Sequence, residues 1–386
     1  MGRASGLREA FTVGVEEEYQ LVDDVAGELR SRARDVLAFD WSAEIRGELQ
    51  ETTLEIGTHV CTSMEAVEKE LKRLRLQVAA TAAAHDLRIL AAGVHPFSRW
   101  EGHERSREAR YVRIEREYGR IARDEHNFGM HIHVAVPERL DRITLLNAVR
   151  GYIPHLVALS CSSPFYEGED TGYASYRLIL WRRWPGNGVP PRLESAEEYR
   201  RYVNVLLRAR AIPDERSIYW SVRPHAIYPT LEFRATDACP RAEDAAAIAA
   251  LARALVVAAA QGRLPEWAPP GFSSGAAHAL LAENEWRAAR DGLDAWLVVP
   301  DAPDARVPVR EAIRGLAAQV APTLESLGDG AAVERIDALL ERGNAADRMR
   351  QVYRDSGDLG VVVRWLAGET LLGVGLDRRR EQREAA

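Results

Sequence analysis

The chain has 386 residues, 46% hydrophobic and 28% charged, with 51 Lys and Arg against 58 Asp and Glu for a formal charge of −7. That is an ordinary soluble globular composition, long enough for one large domain or two smaller ones, and it lacks the basic footprint of a nucleic-acid binder. No apolar run approaches the roughly 18–20 residues that span a bilayer, and Cys61, Cys161 and Cys239 are too scattered for a disulfide framework or a paired-cysteine metal site, so a cytoplasmic, reducing setting is expected.

The first ten residues carry Arg3, Arg8 and Glu9 and have no apolar core of the signal-peptide kind. A strand follows at Thr12–Val22. Residues two apart share a strand face, so Val13, Val15, Tyr19 and Leu21 lie on one side and Glu16, Glu18 and Gln20 on the other. Adjacent carboxylates repel unless a cation lies between them. Glu17 falls on the apolar side and calls for a buried arginine partner. The next strand pattern, Glu48–Gly57, sets Leu54 and Ile56 against Glu51, Thr53 and Glu55. Glu48 is an odd number of residues from Glu55, so it joins that polar face only through a bulge or turn.

A helix is predicted from Thr62 to about Ala84, with Thr62 and Glu65 as a capping box and Val67, Leu71, Leu74 and Val78 at helical spacing. It carries Lys69 and Lys72, the only lysines in the chain. There is no glycine-rich phosphate loop ending in lysine, so any phosphate must be handled by arginines and metal ions. Gly129–Val136 is a third strand, in which His131 and His133 point the same way between Met130, Ile132, Val134 and Val136. Asp141–Ser160 reads as one helix. Tyr228–Ala235 is a fourth strand, with Leu231 and Phe233 on one face and Glu232 and Arg234 on the other. An alanine-rich helix is predicted at Ala242–Ala260, and short helices fill 309–375, separated by Gly328–Gly330, Gly343 and Gly357.

Each strand alone is weak evidence of a site, since polar strand faces are usually solvated. Four strands offering Glu, Glu, His and Glu with Arg form a wall that calls for cations. Hard oxygen donors with one or two imidazoles favour Mg²⁺ or Mn²⁺ over Zn²⁺. An arginine beside them suits a phosphate or carboxylate ligand.

Taken in order, Thr12–Leu21 (TVGVEEEYQL), Glu48–Thr58, Gly129–Val134 (GMHIHV), Tyr173–Pro185 (YASYRLILWRRWP), Tyr219–Pro224 (YWSVRP), Pro229–Asp237 (PTLEFRATD), Glu283–Gly292 (ENEWRAARDG) and Gly343–Arg348 (GNAADR) resemble the YbdK-type carboxylate–amine ligases, also called glutamate–cysteine ligase type 2, of the glutamine-synthetase-like superfamily. The resemblance covers nearly the whole chain. It implies an α+β fold with a curved antiparallel catalytic sheet of about six strands, helices on its outer face and a helical C-terminal third. One ligase domain over 1–376 is expected, with a sub-boundary near 264–274 and a charged, frayed tail at 377–386. The resemblance further implies ATP and Mg²⁺ as cofactors. Glu18, Glu48 and Glu55 would hold one ion and Glu16, His131 and Glu232 the other, which selects Glu48 over Glu51. His133 would sit near the phosphates and Arg234 on the transferred phosphoryl group. Arg177, Arg223 and Tyr176 would meet the carboxylate substrate. The implied partners are a small carboxylate, a small amine and a second copy of the chain, with neither nucleic acid nor membrane.

Two departures stand out. Ser221 replaces the Asp usual in the YWDVRP stretch, and Gly186-Asn187-Gly188 replaces a commoner Thr-Ala-Gly run, which puts the substrate rather than the chemistry in question. Residues 166–184, rich in Tyr, Trp and Arg, read equally as a substrate clamp and as a structural rim. His95 is a loop residue or a pocket residue. His225 reads as structural or surface, and Asn284, Trp286 and Arg290 as packing against the sheet. The rival functions are a metal-dependent amidohydrolase, which would also open on an HxH strand, and a non-catalytic nucleotide-binding relative.

Overall fold

A computed structural model describes residues 2–38 and 44–375, with side chains from residue 6 onward. The expected C-terminal tail at 377–386 lies outside the described residues. Seven strands form the main sheet: β1 (Val13–Asp23), β2 (Ile45–Gly47), β3 (Thr53–Gly57), β4 (Leu87–Leu90), β5 (Gly129–Ala135), β6 (Val222–Pro224) and β7 (Thr230–Asp237). Six of them run in the order β2-β3-β1-β5-β7-β6, and β4 pairs with the far end of β1. Every pairing in this sheet is antiparallel. This is the predicted architecture, with β4 as an added strand, and the described residues show no parallel βα alternation of the amidohydrolase-barrel kind.

The apolar face is built from the alternating residues. Val13, Val15, Tyr19 and Leu21 of β1, Leu54 and Ile56 of β3, and Met130, Ile132 and Val134 of β5 are all buried. Helices Met64–Ala83 and Ala242–Ala260 cover them. Ala242–Ala260 is buried almost all round, and its short side chains let it pack between β5 and helices Met64–Ala83, Val309–Leu327 and Ala332–Arg342. Glu17 meets its arginine here. Arg75 Nη2 lies 2.8 Å from Glu17 Oε1, and both side chains are fully buried. The remaining guanidinium hydrogens go to the carbonyls of Cys239 and Thr370 at 2.8 and 3.1 Å and to that of Pro240. A buried ion pair is tolerable only with such full hydrogen bonding.

Two helix readings need correction. The helix Met64–Ala83 is capped by Ser63, whose hydroxyl accepts the Ala66 N–H, not by Thr62. The stretch 141–160 is two helices, Arg142–Val149 and Ile153–Ser160, joined by a 3₁₀ turn at Arg150–Tyr152. Pro154 has no N–H to continue a helix and sits in the first turn of the second one, where none is needed. The C-terminal third is helical as predicted: Val309–Leu327, Ala332–Arg342, Ala345–Ser356 and Leu359–Thr370. The proline- and glycine-rich stretch 264–273 is a loop between Ala242–Ala260 and Ser274–Asp291, and residue 274 opens the second of these helices.

Candidate active site

Register places the polar residues. Glu18 of β1 pairs with Glu55 of β3, and Glu16 of β1 with His131 of β5. His133 of β5 pairs with Glu232 of β7, which pairs with Arg223 of β6. Directly paired residues share a face, so five strands contribute to one polar surface. A register shift in the β5–β7 pairing between Met130 and Ile132 lies beside Arg234. The surface floors a cavity of about 560 Å³.

Two groups of ligand atoms converge there within 4.8 Å of one another: Glu16, His131 and Glu232, and Glu18, Glu55 and His131. The first is the set the resemblance implies. In the second His131 stands where Glu48 was expected. Glu48 follows β2 directly, in the irregular connection to β3, which brings it to the cavity wall, where its Oε2 accepts the Tyr111 hydroxyl at 3.1 Å. Glu51 points elsewhere and pairs with Arg34 at 2.6 Å.

The electrostatics are polarised. Glu18 is raised to about 7 by burial and then by Glu48, against the pull of Arg177. Glu55 is pushed well above the usual carboxylate range by burial and by Glu16, Glu48 and Glu18. Glu16 behaves oppositely: burial would raise it, but hydrogen bonds from His131 and His133 hold it well below that range. Burial brings His131 down to about 4. Glu232 is also burdened by burial, yet Arg234 and Arg223 outweigh it and keep it ionised. Arg223 Nε reaches Glu232 Oε2 at 2.7 Å and its Nη2 reaches Oε1 at 3.2 Å; Arg234 bonds Oε1 as well. Three of the roughly four lone-pair sites of this carboxylate are thus used, leaving one for a cation. Arg46 Nη2, 3.8 Å from both Glu16 and Glu55, is the nearest guanidinium to those carboxylates in the described residues.

The other predicted residues are placed as follows. Arg177 lines the cavity but is buried, with its guanidinium against the Arg234 carbonyl at 3.3 and 3.4 Å and over the Trp181 ring. Gly129 is required beneath it, because a Cβ there would collide with the guanidinium. Arg223 lines the cavity, holds Glu232 and gives both Nη1 hydrogens to the Arg216 and Ile218 carbonyls at 2.6 Å. His133 lies beside Glu16, with Nε2 at 3.4 Å from Glu16 Oε2, and behind the His225 ring at 5.2 Å. Tyr176 is not brought into the cavity; its ring packs on Tyr166 and Tyr173. The stretch 166–184 therefore divides: Arg177, Trp181 and Trp184 line the cavity, and its tyrosines form a structural cluster.

Ser221 is fully buried and hydrogen-bonds Glu285, which also pairs with Arg182. This departure changes the support behind the cavity, not its lining. His95 is a loop residue. Its Nδ1 accepts the Phe97 and Ser98 N–H groups at 3.2 and 2.9 Å, and Nε2 lies 2.8 Å from the Gly27 carbonyl. Asn284 pins Val298 through two backbone bonds. His225 needs correction, since it lines the cavity and stacks on Tyr228. Arg46, Tyr111, Glu125 and Asn127 also line it and went unpredicted. They come from a three-residue strand, a strongly polar helix and an irregular loop, none of which alternates.

The structure superposes on glutamate–cysteine ligase from Francisella tularensis, solved in complex with AMP, with a TM-score of 0.72 at 13% identity, covering 97% of this chain and 92% of that one. It also superposes on a bifunctional glutathione synthetase from Pasteurella multocida with a TM-score of 0.66 at 15% identity, covering 97% and 54%. The class is that of the ATP-dependent carboxylate–amine ligases, which form a C–N bond and release ADP. Within it, the chain belongs to glutamate–cysteine ligase family 2, whose model matches residues 12–364. A protein of Roseiflexus sp. strain RS-1, provisionally assigned the name glutamate–cysteine ligase 2, is 40% identical over 372 residues, covering 94% of this chain and 96% of that one. A protein of Solibacter usitatus with the same provisional name is 34% identical over 378 residues, covering 97% of each.

Proposed function

We propose that this cavity binds ATP with Mg²⁺, transfers the γ-phosphoryl group to a substrate carboxylate, and releases the resulting acyl phosphate to an amine. The observation that carries the reading is the meeting of Glu18 with Glu55 and of Glu16 with His131 and Glu232 on one face, with Arg234 beside them. Glu18 is raised by burial and by Glu48, and Glu55 by burial and by Glu16, Glu48 and Glu18. Only hard cations would relieve that crowding with these donors. The residues present therefore fit divalent ions: Glu16, His131 and Glu232 for one, and Glu18 and Glu55 for another, with Glu48 at the rim. When bound, such ions neutralise and align the phosphates.

The chain's own groups do the rest. Arg234, with its Nε buried and unpartnered among the described residues, faces charge developing on the phosphoryl oxygens, as a preorganised donor should. Glu232 holds that guanidinium in place, and Arg223 holds Glu232. Arg177 keeps positive charge beside Glu18 and supports the backbone of Arg234. His133 supports Glu16, and through it the phosphate side of the site. Glutamate as carboxylate and cysteine as amine are the substrates we favour, by the family's name. A cytoplasmic homodimer is our reading of its setting. Its three cysteines are free and buried, in keeping with a reducing compartment, and no described helix is long and apolar enough to cross a membrane. A screen of carboxylates and amines for Mg²⁺-dependent ADP release tests the reading. Glutamate-dependent release supports it, and metal-dependent hydrolysis of an amide without nucleotide would replace it.

A further inference from the structure

An amine arrives at neutral pH as an ammonium, with no lone pair to attack. The carboxylates of the metal wall are unsuited to receive its proton, because they serve cations. One carboxyl in the same cavity stands apart. Glu125 lies in the loop before β5, and its side chain is 13% exposed in the cavity wall. One of its oxygens accepts an N–H from Asn127. The other lies 3.8 Å from Arg183 Nη2 and near the Trp184 side chain, with no donor in full hydrogen-bond geometry among the described residues. Arg183 bonds Asp124 through Nη1 at 3.0 Å, and its buried Nη2, the nitrogen nearer Glu125, has no hydrogen-bond partner among the described residues. Trp181, Trp184 and Tyr219 line the neighbouring wall. Arg177 acts electrostatically on Glu18 and on Glu125 alike, so the two carboxyls have one guanidinium as a common neighbour.

We infer that Glu125 is the general base of the second half-reaction: it receives the ammonium of the amine substrate against the tryptophan wall and takes its proton. The inference rests on the ligase reading. The proton passes from the ammonium nitrogen to the Glu125 carboxylate. The freed lone pair forms the C–N bond at the acyl carbon, and the bond from that carbon to the phosphate oxygen breaks. Phosphate leaves with the electron pair and takes the nitrogen's second proton, giving the amide, hydrogen phosphate and a protonated Glu125.

The charges around Glu125 suit the task. Burial raises it to about 7, and Trp184, Arg183 and Asn127 restrain the rise. Asp124 on its own segment and Arg177 and Arg183 on the facing one are the other charged groups beside it. A base poised near the working pH both accepts and returns a proton. An ammonium between the carboxylate and the rings of Trp181 and Trp184 would also gain cation–π attraction.

The test uses a nucleophile that needs no base. Hydroxylamine is unprotonated at neutral pH, whereas L-cysteine, glycine and methylamine are largely ammonium. The full chain and Glu125→Gln are assayed with ATP, Mg²⁺ and L-glutamate. Each receives hydroxylamine or whichever of the three amines the unaltered protein uses fastest. Glu125→Gln should lose amide formation by about a hundredfold or more, the worth of a general base, and keep its hydroxamate rate within about a factor of two. Equal loss of both products, or undiminished amide formation, overturns the assignment. So does an unaltered protein that takes hydroxylamine and none of the three amines, since a base for ammonium would then be idle. If the unaltered protein forms no hydroxamate, the ligase reading itself fails and the assignment falls with it. Should Glu125→Gln not fold, Glu125→Asp, which keeps the charge and withdraws the oxygen, carries the same comparison with a smaller drop in the amide rate alone.

Discussion

Removing one of the crowded carboxylates that burial and like charge raise should stabilise the protein without metal and weaken its response to metal. Glu18→Gln isolates the effect. Glu18 is raised from 4.5 to about 7 in the fold, so its proton is held more tightly folded than unfolded. Stability from this group is fully present below about 4.5 and is lost as pH rises through about 7. At about 1.4 kcal/mol per pH unit, keeping Glu18 ionised above pH 8 costs at most about 3.5 kcal/mol, and about 1–3 kcal/mol after allowing for its partial exposure. The neutral amide escapes that cost, and its oxygen can still accept the Gly129 N–H that Glu18 now accepts. In EDTA at pH 8 Glu18→Gln should therefore melt higher than the unaltered protein, and at pH 5 the two should nearly coincide. Adding Mg²⁺ should raise the melting temperature of the unaltered protein by mass action and that of the variant by less, because only the Glu16, His131 and Glu232 group is left intact, with ADP formation lost. A variant that melts lower at pH 8 in EDTA, or that gains as much stability from Mg²⁺ as the unaltered protein, would refute the crowded-carboxylate reasoning.

Other perturbations follow from the same geometry. Arg234→Lys should lose most of its turnover at saturating ATP, since an ammonium cannot bridge Glu232 and a phosphoryl oxygen as a guanidinium can; near-normal turnover would remove Arg234 from the reaction. Glu17→Gln strands the buried Arg75 charge and should cost about 3–5 kcal/mol in urea unfolding, with no change in Mg²⁺ affinity of the folded fraction. Ser221→Ala deprives Glu285 of one donor and should cost about 1–3 kcal/mol of stability, while the KM for each substrate stays put because the residue is away from the cavity lining.

The sequence carried most of the sheet because its strands alternate cleanly. Glu16, Glu18, Glu55, His131 and Glu232 could be assigned to one face from period two alone, and Glu17 to a buried arginine because it broke that alternation. Glu48 was harder. Its parity was wrong for a straight strand, and only the irregular connection after β2 brings it round. What escaped were side chains delivered by segments with no period. Arg46 comes from a strand of three residues, Glu125 from a loop, and Tyr111 from the helix Ala109–Tyr118, most of which is exposed. Arg223 and Tyr176 show the converse limit. Their motifs were recognisable, but the carbonyls of Arg216 and Ile218 and the ring of Tyr166 decide where they point. The break at Arg150–Tyr152 was signalled by Pro154, which the apolar stripe of 141–160 masked.

The central claim is that the cavity makes an acyl phosphate. The most direct measurement supplies ATP, Mg²⁺, L-glutamate and hydroxylamine and follows the nucleotide and the trapped acyl group together. The account predicts a hydroxamate formed in step with ADP and inorganic phosphate, and neither in Glu16→Gln, where the carboxylate flanked by His131 and His133 is gone. Release of AMP and pyrophosphate, or hydroxamate formation without ATP, would contradict it.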